Sequence, residues 1–373
     1  MHSPELREQC AQQLLAAAGR VKEFNVFVGL DGFVDEIIHV VDKRDNAESF
    51  HRLPTIVSLA DRLAAAAGQS TNVELVRQNI KLGGNGPIMA NALANFGLNV
   101  TCLGTLGYPN LHPVFADFAR RAEVHSLAEP GYTDALEFTD GKIMFGKHTS
   151  LKEVTWQNVQ TRFGIAKLKA KLNLADLVAF MNWTMLPHMS EIWAALLQEV
   201  CPSLNGRRRK IFFDLADPQK RTLADIEQAL NLIVGFEKYF EVFLGLNEKE
   251  TCEISHVLGI PTKDRSPEGL AAMALAIHRR LPVNTLVVHP VSFAITVGEG
   301  GVNLIEGPYL ADPFITTGAG DHFNSGFCLG KLLGFENALS LLTGVATSGH
   351  YVRTGQSPAI PDVASLLRRW PAK

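Results

Sequence analysis

The segment Thr317-Gly-Ala-Gly-Asp321 places an acidic residue directly after a glycine turn, an arrangement suited to chemistry on an anion. Apolar residues recur at helical spacing from Phe323 onward, so the segment is predicted to open a helix with Gly318, Ala319 and Gly320 in its first turn. Unpaired amides and the positive end of the helix dipole favour a phosphate, or an oxyanion developing on one, at such a turn. The segment therefore predicts an anion site.

Asp321 does not suit a passive anion site, because its carboxylate would repel the ligand. The same carboxylate is useful if it accepts a proton from an attacking hydroxyl as a phosphoryl group is transferred. The local alternative is an aspartate that caps a helix after a glycine turn. These residues by themselves leave both interpretations open.

Further motifs accompany this turn along the chain. The first two are a strand-like run ending in acidic residues, Phe24–Asp35, and a Gly-Gly pair before helix-like sequence, Lys81–Gly97. An NxxE element, Leu246–Glu250, precedes the GAGD turn, Thr317–Asp321, and a tail follows at Tyr351–Pro361. In this order they resemble the PfkB/ribokinase family of carbohydrate and nucleoside kinases. The resemblance spans residues 24–361, nearly the whole chain, and the ordered set is far more specific than any one motif.

The resemblance implies transfer of a phosphoryl group from ATP. Asp321 would be the general base, and the backbone amides of Gly318, Ala319 and Gly320 would stabilise charge on the moving group. Glu250 would hold Mg²⁺ through water, as suits a hard cation with few protein ligands. The residues implied to bind the nucleotide or its metal are Asn247, Glu250, His289 and Thr317. Asn247 and Glu250 could equally be a capping pair at a helix start.

The acceptor side of the site is implied at two other places. Asp31 and Asp35 bracket a glycine at the end of the first strand, and either could accept hydrogen bonds from sugar hydroxyls, with Asp35 preferred because Asp31 could merely shape the turn. Gly83 and Gly84 would let the backbone approach substrate, and Asn85 would donate and accept. The plainer interpretation of the glycine pair is a tight turn.

Three positions depart from the family pattern. Ile88 stands where many relatives carry an asparagine, for which Asn85 or Asn91 could substitute. Ile315 stands where relatives activated by a monovalent cation carry an aspartate. His289-Pro-Val-Ser292 replaces the usual glycine-rich nucleotide turn. These positions leave three features open. They are the residues that contact the sugar, the dependence on a monovalent cation and the structure of the adenine side of the pocket.

The order of apolar runs predicts an α/β fold. Buried strands are predicted at 24–30, 99–105, 175–181, 211–215, 241–246 and 284–289, and helices at 189–200, 221–235 and 266–281. The resemblance implies a ribokinase-like three-layer αβα fold, with a mainly parallel central sheet and a small β-sheet lid, as a single kinase domain over residues 1–373. Polar and apolar residues alternate in the lid segments, parts of 33–42, 73–84 and 132–148.

Composition restricts the partners. The 373 residues carry a formal net charge of −3, which predicts no nucleic-acid partner. No apolar run reaches the ~18 residues of a membrane span, and the charged N-terminal segment is not expected to be a signal peptide. The five cysteines show no CxxC pairing, so a reducing, cytoplasmic location is expected. Pairing of lid edges would give a homodimer.

The sequence thus predicts an ATP- and Mg²⁺-dependent carbohydrate kinase that phosphorylates a hydroxymethyl group of a sugar or sugar-like alcohol. A nucleoside kinase is the alternative within the family, and a non-catalytic protein that binds a sugar or nucleotide is the alternative outside it. Surplus length relative to typical relatives is expected around 42–72 and 148–172, where it could shape the substrate pocket or an interface.

Overall fold

Two β-sheets, one large and one small, organise the chain. The computed structural model describes residues 3–261 and 264–371. In chain order the strands are β1 Asn25–Gly29, β2 Phe33–Arg44, β3 Phe50–Arg52, β4 Leu75–Gly83, β5 Asn99–Gly104, β6 Glu123–Ser126, β7 Gly131–Phe138, β8 Gly141–Lys147, β9 Leu177–Phe180, β10 Arg209–Asp214, β11 Phe240–Leu246, β12 Thr285–Val288, β13 Phe293–Gly298 and β14 Gly301–Glu306.

Helices lie between most of the strands of the large sheet. They are α1 Pro4–Ala17, α2 Ile56–Ala65, α3 Asn85–Asn95, α4 Ala116–Ala119, α5 Trp156–Asn158, α6 Ile165–Leu174, α7 Met189–Ala195, α8 Leu223–Gly235, α9 Glu248–Val257, α10 Pro267–Arg280, α11 Ala319–Leu332, α12 Asn337–Thr354 and α13 Ile360–Arg368. No helix within residues 3–261 or 264–371 is long and apolar enough to cross a membrane.

The large sheet has nine strands in the order β14-β13-β12-β11-β10-β9-β1-β5-β6. All neighbours from β12 to β6 pair in parallel, whereas β13 and β14 add an antiparallel hairpin at one edge. The prediction of an α/β fold with a mainly parallel central sheet is confirmed. Parallel strands end at the same edge, so the segments after β1, β10, β11 and β12 meet there.

Helices cover both faces of the large sheet. Neighbouring residues of β10 show this, because Phe213 packs into one hydrophobic cluster and Phe212 into the other. The first cluster takes Trp193, Leu230 and Ile277 from α7, α8 and α10. The second takes Met89, Phe327 and Leu342 from α3, α11 and α12. The alternation of side chains along a strand thus produces the three layers that the sequence predicts.

The small sheet, called the lid below, is built from β2, β3, β4, β7 and β8. β2 pairs with β4 in an antiparallel and with β7 in a parallel arrangement. One face carries a hydrophobic cluster of its own, formed with α2 from Ile38, Val40, Leu53, Leu59, Leu136 and Phe138. The surplus segment 42–72 supplies β3 and α2, so it gives the lid a core separate from those of the large sheet. The second surplus segment, 148–172, contains α5 and most of α6.

The five cysteines all lie in the described part of the chain and are unpaired. Cys10, Cys102, Cys201 and Cys328 are buried, whereas Cys252 on α9 is partly exposed. Burial raises the pKa of the Cys10 thiol to about 11 and that of Cys201 to about 12. The buried thiols therefore stay protonated and pack as small apolar side chains.

Candidate active site

Two cavities lie on either side of the turn that opens α11, and Asn247 borders both. One, of about 320 Å³, is mainly apolar and is lined by His289, Val291, Tyr309, Gly320, Phe323 and Val345 among others. The other, of about 430 Å³, lies under the lid and is lined by Asp35, Gly84, Asn85, Thr133, Glu250 and Asp321 among others. The Gly318–Asp321 turn forms the wall between them, because Gly318 and Asp321 border the second cavity while Ala319 and Gly320 border the first.

The turn opens α11, as the sequence predicts. Gly318 is the N-cap residue at φ 90°, in the left-handed region that favours glycine. A Cβ atom at Gly318 would lie 3.3 Å from the Tyr351 hydroxyl and 3.4 Å from Ile88, so space also favours glycine. The amides of Gly318 and Gly320 have no protein partner within residues 3–261 and 264–371. The expectation that all three amides are free is wrong for Ala319, whose N–H donates to the Thr316 carbonyl at 3.0 Å.

Asp321 lies in the first turn of α11 with only 5% of its surface exposed. Asn85 Nδ2 donates to Asp321 Oδ1 at 2.9 Å. Burial and the nearby Asp214 carboxylate raise the pKa of Asp321 well above its usual value. A carboxyl group whose pKa is raised in this way is more basic than an exposed one. This suits a group that takes a proton from an alcohol.

Asp35 and Asn85 face the lid-side cavity. Asp35 stands on β2 opposite Thr133 of β7 on one side and Lys81 of β4 on the other. A Cβ atom at Gly83 would lie 2.6 Å from the Asp35 carboxyl group, so Gly83 provides room for this side chain behind the cavity wall. Burial raises the pKa of Asp35. Asp35 therefore presents a polar side chain where the hydroxyls of an acceptor would lie.

Asp31, which is predicted to bind substrate, holds the turn before α3, and its contact with substrate stays a prediction. Its side chain is fully buried and does not line the lid-side cavity. Its carboxylate accepts hydrogen bonds from the backbone amides of Asn85 and Gly86 and from Asn182 Nδ2, at 2.8–2.9 Å. These donors satisfy the carboxylate and fix the N-terminus of α3, so Asp31 shapes the turn that carries Asn85.

Asn247 and Glu250 form a complete capping box at the start of α9. Asn247 Oδ1 accepts from the Glu250 amide at 2.9 Å, and Glu250 Oε2 accepts from the Asn247 amide at 2.8 Å. Glu250 Oε1 accepts from the Asp217 amide at 2.9 Å. Both residues also border the lid-side cavity. They can therefore cap α9 and contact a ligand at the edge of this cavity at the same time. Each carboxylate oxygen keeps a lone pair, which fits a hydrated Mg²⁺.

His289 follows β12 and lines the apolar cavity, on the predicted nucleotide side. Its ring packs on Phe323 with centroids 4.8 Å apart, and Nε2 is buried without a hydrogen-bond partner in the described chain. Burial lowers the pKa of His289 to about 4, so the ring is neutral. Thr317 borders the other, lid-side cavity, whereas Thr316 borders the apolar one. The role of Thr317 beside the nucleotide stays a prediction, since Asn247 and Glu250, predicted to bind the nucleotide or its metal, border the same lid-side cavity.

The positions that depart from the family pattern have definite places. Ile88 lines the lid-side cavity, and Asn85 supplies the amide that faces it. Asn91 points elsewhere, since its Oδ1 accepts from Arg121 and its Nδ2 lies 3.5 Å from Ser357 Oγ. Of the two asparagines that could replace the missing one, only Asn85 reaches the cavity.

Several cavity residues have no motif in the sequence. His148, Asn182 and Lys220 line the lid-side cavity. They follow β8, β9 and β10 in the chain, and only the fold brings them together. Of the three, only Asn182 follows a strand of the large sheet closely, where side chains at the carboxyl edge converge on a ligand site.

Comparisons with known proteins agree with this geometry. Solved structures with the same fold include the ribokinase of Thermotoga maritima (TM-score 0.58, 16% identity, 92% of this chain and 99% of that one). They also include an Arabidopsis thaliana ribokinase complexed with ribose and ATP (TM-score 0.60, 16% identity, 92% and 98%). At this identity they show the ribokinase-like fold alone.

The fold and site define the class of ribokinase-like carbohydrate kinases, and the relatives narrow it. A profile of the prokaryotic ketohexokinase family matches residues 5–370. A ketohexokinase of Haloferax volcanii is 29% identical over 349 residues, which are 93% of this chain and 92% of that protein. The chain therefore belongs to the prokaryotic ketohexokinase family. It is a carbohydrate kinase, and its kinase relatives imply ATP as the phosphoryl donor.

Proposed function

We propose that this kinase transfers the γ-phosphoryl group of ATP to a hydroxymethyl hydroxyl of a ketohexose. The observation that carries the proposal is the position of Asp321, a buried carboxyl group on the wall where the apolar cavity meets the lid-side cavity. A nucleotide in the first cavity and a sugar in the second would meet at this residue. The family match and the name of the Haloferax volcanii relative support a ketohexose as the acceptor.

In this proposal Asp321 takes the proton of the attacking hydroxyl. The free amides of Gly318 and Gly320 stabilise charge on the transferring group, and the Ala319 amide joins them if its bond to Thr316 opens. Asp35 accepts hydrogen bonds from the sugar beneath the lid, and Asn85 both donates and accepts. The glycines at 83 and 84 allow the backbone to approach the sugar closely. The lid excludes water that would otherwise take the phosphoryl group.

The metal requirement is part of the same proposal. Glu250 and Asn247, at the edge of the lid-side cavity, would hold Mg²⁺ through water near the nucleotide phosphates. When bound, the cation would neutralise phosphate charge. The paired carboxylate oxygens of Glu250, each already held by one backbone amide, keep the acceptor geometry fixed before the metal arrives.

The first prediction concerns Asp321→Asn. The amide keeps the shape of the side chain but cannot take a proton, so kcat is expected to fall by about 10²–10⁴-fold. The assay measures ATP-dependent phosphate transfer across ketoses, aldoses, sugar acids and nucleosides with Mg²⁺. Asp117→Asn, a substitution of an exposed carboxylate paired with Arg120, is the matched control and should leave kcat unchanged.

Three outcomes would contradict the proposal. Full activity of Asp321→Asn would remove its role as the base. Turnover of nucleosides but not of ketohexoses by the native chain would make it a nucleoside kinase. Sugar binding without any turnover would support the non-catalytic alternative, and a thermal shift with each ligand separates that case from an inactive preparation.

We also propose that two copies associate through their lids. β8 is an edge strand, pairing only with β7 in the described part of the chain. It exposes Met144 and Phe145, at 47% and 51% of their surfaces. An exposed edge with apolar side chains favours pairing with a second strand.

A further inference from the structure

We propose that His322 and Tyr351 are positioning residues, which together hold the peptide planes of the Gly318 turn in the orientation that phosphoryl transfer needs. The inference rests on the proposed function, because it explains how that turn is held. Neither residue borders the apolar or the lid-side cavity, and both are buried behind the turn. They would act through the turn and not on the reacting atoms.

The two rings form one stacked unit. The His322 and Tyr351 rings lie 3.6 Å apart between centroids with an interplanar angle of 11°. Tyr351 Oη donates to the Thr317 carbonyl at 2.9 Å, and His322 Nδ1 bonds the Gly318 carbonyl at 2.7 Å. Two consecutive carbonyls of the turn are therefore held by two side chains that also hold each other.

Fixing these carbonyls fixes the amides that follow them. The C=O and N–H of a trans peptide unit point in opposite directions. The bond from Tyr351 to the Thr317 carbonyl therefore directs the Gly318 N–H away from the stacked rings. In the next peptide plane, the Gly318 carbonyl also accepts from the backbone N–H of His322 at 3.1 Å, and the Ala319 N–H donates to the Thr316 carbonyl at 3.0 Å. The side-chain bond from His322 adds to these two and holds this plane next to the free Gly318 N–H. Holding these peptide planes matters because residue 318, at φ 90°, is a glycine, and glycine has more backbone freedom than any other residue type.

The protonation of the unit follows from its partners. A carbonyl only accepts, so Nδ1 of His322 carries the proton and Nε2 accepts from Ser357 Oγ at 2.9 Å. Burial lowers the pKa of His322 to about 4 and raises that of Tyr351 to about 12, so the imidazole is neutral and the phenol keeps its proton. Besides burial, the nearby His350 also lowers the pKa of His322.

Ser357 links this unit to the helix that carries Asn85. Asn95 Nδ2 donates to the Ser357 carbonyl at 2.8 Å, and Asn91 Nδ2 lies 3.5 Å from Ser357 Oγ. Both asparagines belong to α3, whose first residue is Asn85. The hydrogen bonds thus run from α3 through Ser357 and His322 to the Gly318 carbonyl, which ties the two motifs that face the reacting groups into one rigid arrangement.

The test compares two substitutions of His322 that differ in one hydrogen bond. His322→Phe keeps an aromatic ring against Tyr351 and the backbone donor to the Gly318 carbonyl, but loses the side-chain donor to that carbonyl. His322→Asn carries an amide N–H at the same number of bonds from Cα as Nδ1, so it can restore that donor. We expect kcat to fall by about 10–100-fold in His322→Phe, with KM for ATP and sugar changed by less than about threefold, and to recover largely in His322→Asn.

Tyr351→Phe tests the neighbouring peptide plane and keeps the inference testable if His322→Phe fails to fold. It is expected to lower kcat in the same way, because the Thr317 carbonyl loses its donor. His278→Phe is the matched control, since His278 Nε2 bonds the Val283 carbonyl at 2.8 Å on α10. That control should lower the thermal midpoint without changing kcat.

Equal kcat for His322→Phe and His322→Asn would overturn the inference, as would a rise in KM at constant kcat. The failure of the proposed function is distinguishable from this outcome. If Asp321→Asn retains full activity, the catalytic assignment itself is wrong. If Asp321→Asn is inactive while His322→Phe and Tyr351→Phe match the native enzyme, only the positioning role is wrong.

Discussion

At the scale of single residues, the site depends on side chains that are buried and neutral. His289 and His322 both lie against the GAGD turn, and burial lowers the pKa of each to about 4. In the unfolded chain both would titrate near the ordinary value of 6.5. Between these two values the unfolded chain binds protons that the folded protein cannot. Both histidines therefore make folding stability depend on pH.

The sign of that dependence is a prediction. The stabilisation is complete above pH 6.5 and is lost as the pH falls toward 4, at up to about 1.4 kcal/mol per pH unit for each histidine. Because Asn does not titrate, His322→Asn should lose about 2 kcal/mol less than the native protein between about pH 7 and about pH 5. Urea unfolding at the two pH values measures the difference. Parallel losses in both proteins would show that His322 is not neutral in the folded state.

Residue chemistry was predictable where a motif is local and not where a side chain depends on distant partners. Asp321 directly follows the glycine turn, and Asn247 and Glu250 are three residues apart, so each set stays close together in any fold. The direction of His322 is different, since it is set by Tyr351, 29 positions along the chain, and by Ser357. The role of Asp31 was equally hard to predict. Its carboxylate accepts hydrogen bonds from Asn182 and from backbone amides that only the folded chain places around it.

At the scale of elements, α11 packs closely against α12 because glycines stand at the contact. A Cβ atom at Gly326 would lie 2.3 Å from Thr347 Oγ1 and 2.7 Å from the Thr343 carbonyl. At Gly330 it would lie 2.8 Å from the Cα atom of Ser340. Without a Cβ atom at either position, the two helices can approach this closely. The approach also places Asp321, on the first turn of α11, at a fixed distance from the sheet.

Gly326→Ala tests the contact. Because one clash is with backbone, which cannot rotate away, the free energy of unfolding is expected to fall by about 1–3 kcal/mol. Chemical denaturation measures it. Gly19→Ala is the control, since nothing lies within 4 Å of a Cβ atom there and its stability should hold or rise slightly. Equal effects at the two positions would show that α11 and α12 are not close-packed at Gly326.

The predicted strands of the large sheet correspond to β1, β5, β9, β10, β11 and β12, with ends that differ by one or two residues. Long apolar runs determine these strands because both faces are buried. The helix predicted over 189–200 is regular only over Met189–Ala195 and continues as a wider turn over Leu196–Val200. The hairpin β13–β14 was not predicted, although Gly298-Glu-Gly-Gly301 between its strands is a turn signal in the sequence.

At the scale of the whole molecule, the lid has a core of its own and an unpaired edge. If two copies associate there, a charge on that edge should separate them. Phe145→Glu places a carboxylate on the exposed strand β8 and is expected to give a monomer, because like charges would face each other across the interface. Sedimentation of the native protein and the variant measures the change.

Val57→Glu is the control for that experiment, since Val57 is also exposed, at 64%, and lies on α2 rather than on the edge strand. It should leave the oligomeric state unchanged. A native protein that sediments as a monomer at every concentration would contradict association through the lid. A dimer that survives Phe145→Glu would place the interface elsewhere on the surface.

The burial of four of the five thiols has a consequence for how this protein could be observed. Cys252 alone is partly open to a reagent, and it lies on α9, two residues after Glu250. A thiol-reactive fluorophore would therefore attach at one place without any engineered mutation. From there it would sit on the helix whose N-cap residue, Asn247, borders both cavities, so that its emission could follow the arrival of nucleotide in real time.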